Sequence, residues 1–393
     1  MAVNNTPERD DEDAIYMDDE DVVQEVIVDE EDLPDVDEDG DDHDDVGTED
    51  GGEEEEDDSI HIFTGHSDSV FAVACSPIDP NIVATGGGDD KAYIWKIRDS
   101  ASPLELKNHS DSVASLAFSN DGHLLASGGL DGIVNIWETS TGSLKHKLEG
   151  PSAAIEWVKW HPRGHVVLAG SEDFTSWMWN ADTGTCLSVF AGHNGSVTCG
   201  NFTPDGKAVC TGSADAALRV WNPKSGDTVH IVQGHPYHTE GLTCLDIGMD
   251  SSVVISGSLD SSVQIVNIRT AKVVASLNGH SKSIECVGFA NSVPLAASGG
   301  MDGFLQIWDV HTSTQRSSCQ HEEGVVKLLW SQTSNSILTG CLDGKARLWD
   351  SRTGTCERVY RGHEDSVLDL ALSQGEAFIL SSSDDHTVRV FEF

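Results

Sequence analysis

The chain has 393 residues, of which 67 are acidic and 23 basic, a formal net charge of −44 at pH 7, and 38% hydrophobic residues. Such an acidic chain argues against direct nucleic-acid binding, which draws on lysine and arginine to displace counterions. No run of about 18 apolar residues is present to span a membrane.

Residues 1–58 hold 30 of the 67 acidic residues and one basic residue, Arg9. Like charges crowd together there without hydropathy periodicity, so the segment is expected to be a disordered acidic tail. Its polar start, MAVNNTPERDDED, does not read as a secretion signal. Asp35–Gly40 (DVDEDG) matches the first half of a calcium loop, but position twelve would be Val46 where the loop needs glutamate. It reads as low complexity, and no metal or cofactor motif appears elsewhere. Nine cysteines stand singly without a Cys-x-x-Cys pair. That suits buried packing in a reducing compartment, the cytoplasm, with nuclear entry left open.

Residues 59–393 form the second domain. It begins with a strand-like SIHIF (Ser59–Phe63) and then repeats itself eight times. The repeats are marked by Asp89, Asp131, Asp173, Asp215, Asp260, Asp302, Asp343 and Asp385, at spacings of 42, 42, 42, 45, 42, 41 and 42. Six residues after each stands Trp95, Trp137, Trp179, Trp221, Val266, Trp308, Trp349 or Phe391. In the second repeat, Ser112–Phe118 alternates as a strand, Ser119–Gly122 turns, and His123–Gly129 is a second strand. A turn at Asp131, a third strand Ile133–Trp137 and a fourth near Ser143–Leu148 complete a four-stranded unit, one propeller blade. The eighth repeat stops at Phe393 after three strands. The unassigned Ile60–Phe63 is expected to supply its fourth and close an all-β, eight-bladed propeller.

These units resemble WD repeats, with Gly-His upstream and Trp-Asp or a variant downstream. The Gly-His pairs are Gly65-His66, Gly192-His193, Gly234-His235, Gly279-His280 and Gly362-His363, with Asn108-His109 and Gln320-His321 as variants. The resemblance implies a buried relay of His, Ser/Thr, Asp and Trp in each blade. It is matched by His66, Thr85, Asp89 and Trp95, by His109, Ser127, Asp131 and Trp137, and by His193, Thr211, Asp215 and Trp221. Such sets superficially look like catalytic triads. A nucleophile must be exposed beside an oxyanion hole, whereas repetition around a ring suits a structural staple, so no enzyme activity is expected. The third repeat has Pro151 and Ala169 at the His and Ser/Thr positions, so Asp173 needs another partner. That blade is expected to be the least regular.

In WD-repeat geometry the loop after the His and the residue before the Asp face one side of the ring. The resemblance puts Glu156, Glu172, Glu285 and Asp384 on that face. Asp68, Asp111, Glu240, Glu323 and Asp365 fall at its rim, with Phe71, Leu130, Leu259, Met301 and Leu342 interleaved. A concave mouth of one sign speeds capture of an oppositely charged partner. The acidic tail, eight repeats and the end at Phe393 together resemble the angio-associated migratory cell protein family. That family contains a fungal chaperone of a basic large-subunit ribosomal protein of the L-ten (uL-sixteen) type. The resemblance implies a monomeric, non-enzymatic platform that holds a basic ribosomal protein on its acidic face during large-subunit assembly. Animal members are also linked with cell migration, so a general scaffold for signalling or migration stands beside this reading. A second alternative is a substrate receptor of a cullin-RING ubiquitin ligase, because Trp349-Asp350-Ser351-Arg352 matches the Trp-Asp-x-Arg adaptor pattern.

Overall fold

The computed structural model describes residues 56–99 and 101–393; the expected tail disorder and the Asp35–Gly40 motif lie outside them. Thirty-two strands form eight antiparallel sheets of four, with no α-helix among the described residues. The second blade comprises Val113–Phe118, Leu124–Gly129, Val134–Glu138 and Leu144–Leu148, close to the units read from its sequence. The first strand of each blade packs on those of its neighbours, and Val70–Cys75 of the first blade packs on Val367–Leu372 of the eighth, which makes the ring circular.

His61–Phe63 pairs antiparallel with the strand Val388–Glu392, with His61 opposite Val390 and Phe63 opposite Val388. Contacts with the ring begin earlier still. Asp58 receives the backbone N–H of Arg361 at 3.0 Å, and Asp57 pairs with Arg389. Phe63 also lies flat on Trp95 of the first blade, at 4.7 Å between ring centroids and 3° between planes. The closing strand is therefore held both by a backbone ladder and by aromatic stacking.

Side chains alternate between the two faces of each blade, and neighbouring blades cover both. The middle strands are almost wholly buried, as in Leu124–Gly129 and Ser336–Cys341. Their small residues, among them Gly128, Gly299 and Gly340, leave room for the neighbouring blade. A Cβ at Gly128 would come within 2.6 Å of Ile155.

The relays recur with variations. His109 Nδ1 meets Asp131 at 3.1 Å, His109 Nε2 meets the Ser127 hydroxyl at 2.8 Å, and Trp137 Nε1 donates to Ser127 at 2.8 Å. His193, Asp215, Thr211 and Trp221 repeat the pattern. In the first blade His66 reaches Asp89 at 2.9 Å and Thr85 at 3.0 Å. There Trp95, covered by Phe63, buries its indole N–H without an acceptor among the described residues. The hydroxyls of Thr85, Ser127 and Thr211 are wholly buried, out of a substrate's reach.

Three blades depart from the sequence reading. In the fifth, the relay histidine is His238, not His235, which is exposed. His238 lies 22 residues before Asp260 and meets it at 3.3 Å and Ser256 at 2.9 Å. The Val266 side chain has no N–H to offer Ser256, and the buried Tyr237 hydroxyl partners it at 2.8 Å. The extra residues before His238 thus bring in a polar group that the valine lacks.

In the third blade, Asp173 accepts the N–H of Ser152 at 2.8 Å and of Thr175 at 3.0 Å. The Thr175 hydroxyl also bonds Asp173 and receives Trp177 Nε1 at 2.7 Å. Trp157 and Trp160 bond the backbone of the two neighbouring blades, at Val197 and Ala117. Asp173 thus finds partners without a histidine and the four-stranded ladder is intact, contrary to the expectation that this blade would be the least regular, although Ser176 buries its hydroxyl without a partner among the described residues. In the fourth blade the first three strands have only four residues each. In the seventh blade, Arg347 takes Asp343 into an ion pair at 2.6 Å and leaves His321 Nδ1 without a partner among the described residues.

Two consequences are measurable. Tyr237→Phe should lower unfolding free energy by about 1 kcal/mol, through loss of a buried hydrogen bond. It should leave the denaturant slope unchanged in equilibrium unfolding. Burial, with the Arg347 charge second, pushes the His321 imidazole from 6.5 down to about 4. Burial also lowers His66, His193 and His238. The unfolded chain then binds more protons than the folded one below pH 6.5. The histidine contribution is complete above that pH and is lost as pH falls toward 4. His321→Gln should flatten that limb in pH-dependent melts; an unchanged profile would refute the assignment.

Candidate protein-binding face

The loop before each first strand and the turn holding each relay aspartate meet at the same end of the strands. One backbone clamp recurs in all eight blades. The residue before the aspartate donates its N–H to the loop that leads into the first strand. Leu130 bonds Ser112 at 2.9 Å, Glu172 bonds Ala154 at 3.0 Å, Met301 bonds Ser283 at 2.9 Å and Asp384 bonds Ser366 at 3.0 Å. This clamp holds the residue before the aspartate beside the start of the inner strand, so both project from one face.

The clamp brings Glu172 beside Glu156, the second residue of Ile155–Trp160. Burial raises the Glu156 pKa above the ordinary value, and the neighbouring Glu172 charge and its hydrogen bond raise it further. Glu156 is half-buried and Glu172 exposed. Glu285 of the sixth blade accepts the Ser283 hydroxyl at 2.7 Å, and the exposed Asp384 accepts that of Ser69 across the closing seam. None of these four carboxylates pairs with a lysine or arginine among the described residues. Asp68, Asp111, Glu240, Glu323 and Asp365 are all exposed, while Lys282 stands at the equivalent place in the sixth blade.

The apolar residues divide. Phe71 is 38% exposed and Leu130 41%. Met301 and Leu342 are partly covered and lie together over Gly324, whose added Cβ would come 2.9 Å from Met301 Sδ and 3.3 Å from Leu342 Cδ1. Leu259 is 51% exposed on the fifth blade.

Sequence reasoning missed Phe174. The residue after every relay aspartate has positive φ: Asp90 63°, Gly132 76°, Ala216 61°, Ser261 65°, Gly303 77°, Gly344 74° and His386 66°. Phe174 occupies that place in the third blade at 71° and is 46% exposed. A bulky side chain in the left-handed region is strained, and such strain collects at functional sites. The signal was legible as the one large apolar residue directly after a relay aspartate.

Deeper in the bore, Lys327 pairs with Asp369 at 2.7 Å. Lys159 enters from the third blade; burial lowers its pKa, Lys327 adds to this, and Asp369 and Asp246 oppose it. The negative mouth thus gives way to a charge-balanced channel. Arg352 follows Ala346–Asp350, at the opposite end of the strands from the aspartate turn. Its guanidinium forks onto Asp350 with two contacts of 3.2 Å.

The family model described as WD domain, G-beta repeat matches eight segments, at residues 57–96, 102–138, 142–180, 184–222, 226–267, 271–309, 313–350 and 354–392. Angio-associated migratory cell protein of Homo sapiens is 46% identical over 111 residues, 28% of this chain and 26% of that protein. The same protein of Canis lupus familiaris matches equally, so the similarity spans about a quarter of the length of these curated relatives. Among solved structures, Sqt1 from Chaetomium thermophilum superposes with a TM-score of 0.81 at 27% identity, over 86% of this chain and 99% of that one. A second structure of that protein, bound to the N-terminus of the ribosomal protein L10, gives 0.80 at 28% identity, over 86% and 100%.

Phe174→Gly should raise thermal stability by about 1 kcal/mol, because glycine takes the left-handed turn without strain. A melt that is unchanged or lower would show that Phe174 is held by contacts rather than strained.

Proposed function

Because the chain belongs to the WD domain, G-beta repeat family, whose propellers serve as binding scaffolds, we propose that it is a chaperone. In this reading its acidic face holds a basic segment of a large-subunit ribosomal protein. One observation carries it: Glu156 and Glu172 stand together at the mouth, without a lysine or arginine paired to them among the described residues, beside the strained aromatic Phe174. Likeness to Sqt1, solved with the L10 N-terminus bound, supports the choice of partner.

The chemistry is capture without reaction. A lysine or arginine placed between the two carboxylates relieves their repulsion and favours the charged form of Glu156. The exposed Phe174 and Leu130 give an apolar contact to the stems of those side chains or to an adjacent apolar residue. Holding the cations of the client keeps them from RNA phosphates until release.

Titration calorimetry with the basic N-terminal peptide of an L10-type protein should show affinity falling at least tenfold between about 0.05 and 0.3 M salt. The Glu156→Lys/Glu172→Lys double variant should weaken binding on the order of a hundredfold. Unchanged affinity in that variant would exclude this site. Since burial and Glu172 raise the Glu156 pKa, acidification should protonate Glu156 before ordinary carboxylates. Affinity should therefore begin to fall above the usual carboxylate range, and Glu172→Gln should move that onset to lower pH.

A further inference from the structure

A second surface lies between the third and fourth blades, at the end of the strands away from the mouth. It is a groove of ≈ 800 Å³. Met178 and Trp221, both buried, form its floor, and Leu187 and Val229 its walls at 47% and 51% exposure. Lys224 and Arg269, both exposed, stand at its rim with Lys207, which pairs with Asp205 at 3.3 Å. Among the described residues, no carboxylate is part of the groove's lining. In a chain of net charge −44, such a cation-rimmed surface, with Asp205 on Lys207 and Asp250 within reach of the Arg269 charge, opposes the average sign of the molecule.

The apolar strip continues along both outer strands. Val189 and Ile231 stand two residues beyond Leu187 and Val229, which are the extra residues at a bulge in each strand. They are 39% and 47% exposed. Thr185–Ala191 and Thr228–Val232 are the outermost strands of their sheets. The corresponding strands of the sixth and seventh blades read TQRSSCQ and TCERVY, with polar or charged residues facing out. Exposed branched residues along a sheet edge are a liability unless something covers them.

We propose that this groove binds a short extended peptide of another protein that interleaves carboxylates with branched apolar side chains. The apolar residues would enter between Leu187 and Val229, and the carboxylates would meet Lys224 and Arg269. Nucleic acid fits less well. The floor tryptophan, Trp221, is only 1% exposed and cannot offer a face for base stacking. The negative charge of the whole chain repels a long polyanion, whereas a short acidic segment anchored by apolar contacts is opposed only within about 8 Å by screened charge. The site is separate from the mouth in position and in sign, so one chain can hold a basic client and an acidic partner together.

The test uses the full chain and a fluorescein-labelled peptide of alternating leucine and glutamate, followed by fluorescence anisotropy. Saturable binding is expected. Lys224→Glu/Arg269→Glu should weaken it at least tenfold, and Leu187→Asp should weaken it comparably. Both changes are at exposed positions, and both variants should keep wild-type affinity for a basic peptide at the mouth, which also reports that they fold. Three results would overturn the proposal: no saturation up to about 1 mM peptide, equal affinity in the Lys224→Glu/Arg269→Glu variant, or tighter binding of a thymidine oligonucleotide of matching length.

Discussion

Everything in this molecule depends on one backbone ladder, the antiparallel pairing of His61–Phe63 with Val388–Val390. Until it forms, the eighth blade lacks its outer strand. Once it forms, the start and end of the ring are a single sheet, and no blade is left with an open face. The seam is reinforced from three directions: Phe63 stacks on Trp95, Asp57 pairs with Arg389, and Asp58 bonds the backbone of Arg361. Closure also brings the aspartate turn of the eighth blade beside the first, where the Ser69 hydroxyl donates to Asp384 across the seam.

Within the blades, the constant is satisfaction of a buried hydroxyl rather than any one residue set. Trp137 does this in the second blade, and Tyr237 does so in the fifth, where Val266 cannot. In the third, Trp177 and Thr175 rebuild the partnership of Asp173 without a histidine. Buried polar groups without partners are costly, so in the third and fifth blades a neighbour supplies the missing donor, whereas Trp95 Nε1 and His321 Nδ1 remain unpartnered among the described residues.

This explains what could be read in the chain beforehand. The blades, the closing strand and most relays follow from spacing, because a fixed period forces equivalent residues into equivalent places. His238 escaped because the Gly234-His235 dipeptide mimics the motif, although counting 22 residues back from Asp260 leads to His238. The unpartnered indole of Trp95 was not legible, since it depends on where Phe63 lands after closure. The pairing of Glu156 with Glu172 follows from the repeat register, but the strain at Phe174 needs backbone angles. The groove beside the fourth blade arises from contacts between blades, which the period of a single repeat does not encode. The result is a ring with its unpaired carboxylates at one end and an apolar, cation-rimmed groove toward the other.

The most direct measurement is amide hydrogen exchange of the full chain with and without a basic ribosomal-protein peptide. The account predicts slowed exchange in the two segments clamped at the third blade, residues 152–156 and 171–175, with the outer strands of the third and fourth blades unchanged. Protection confined to those outer strands, or to the turn holding Arg352, would contradict the claim that the negative mouth is where a cationic segment is held.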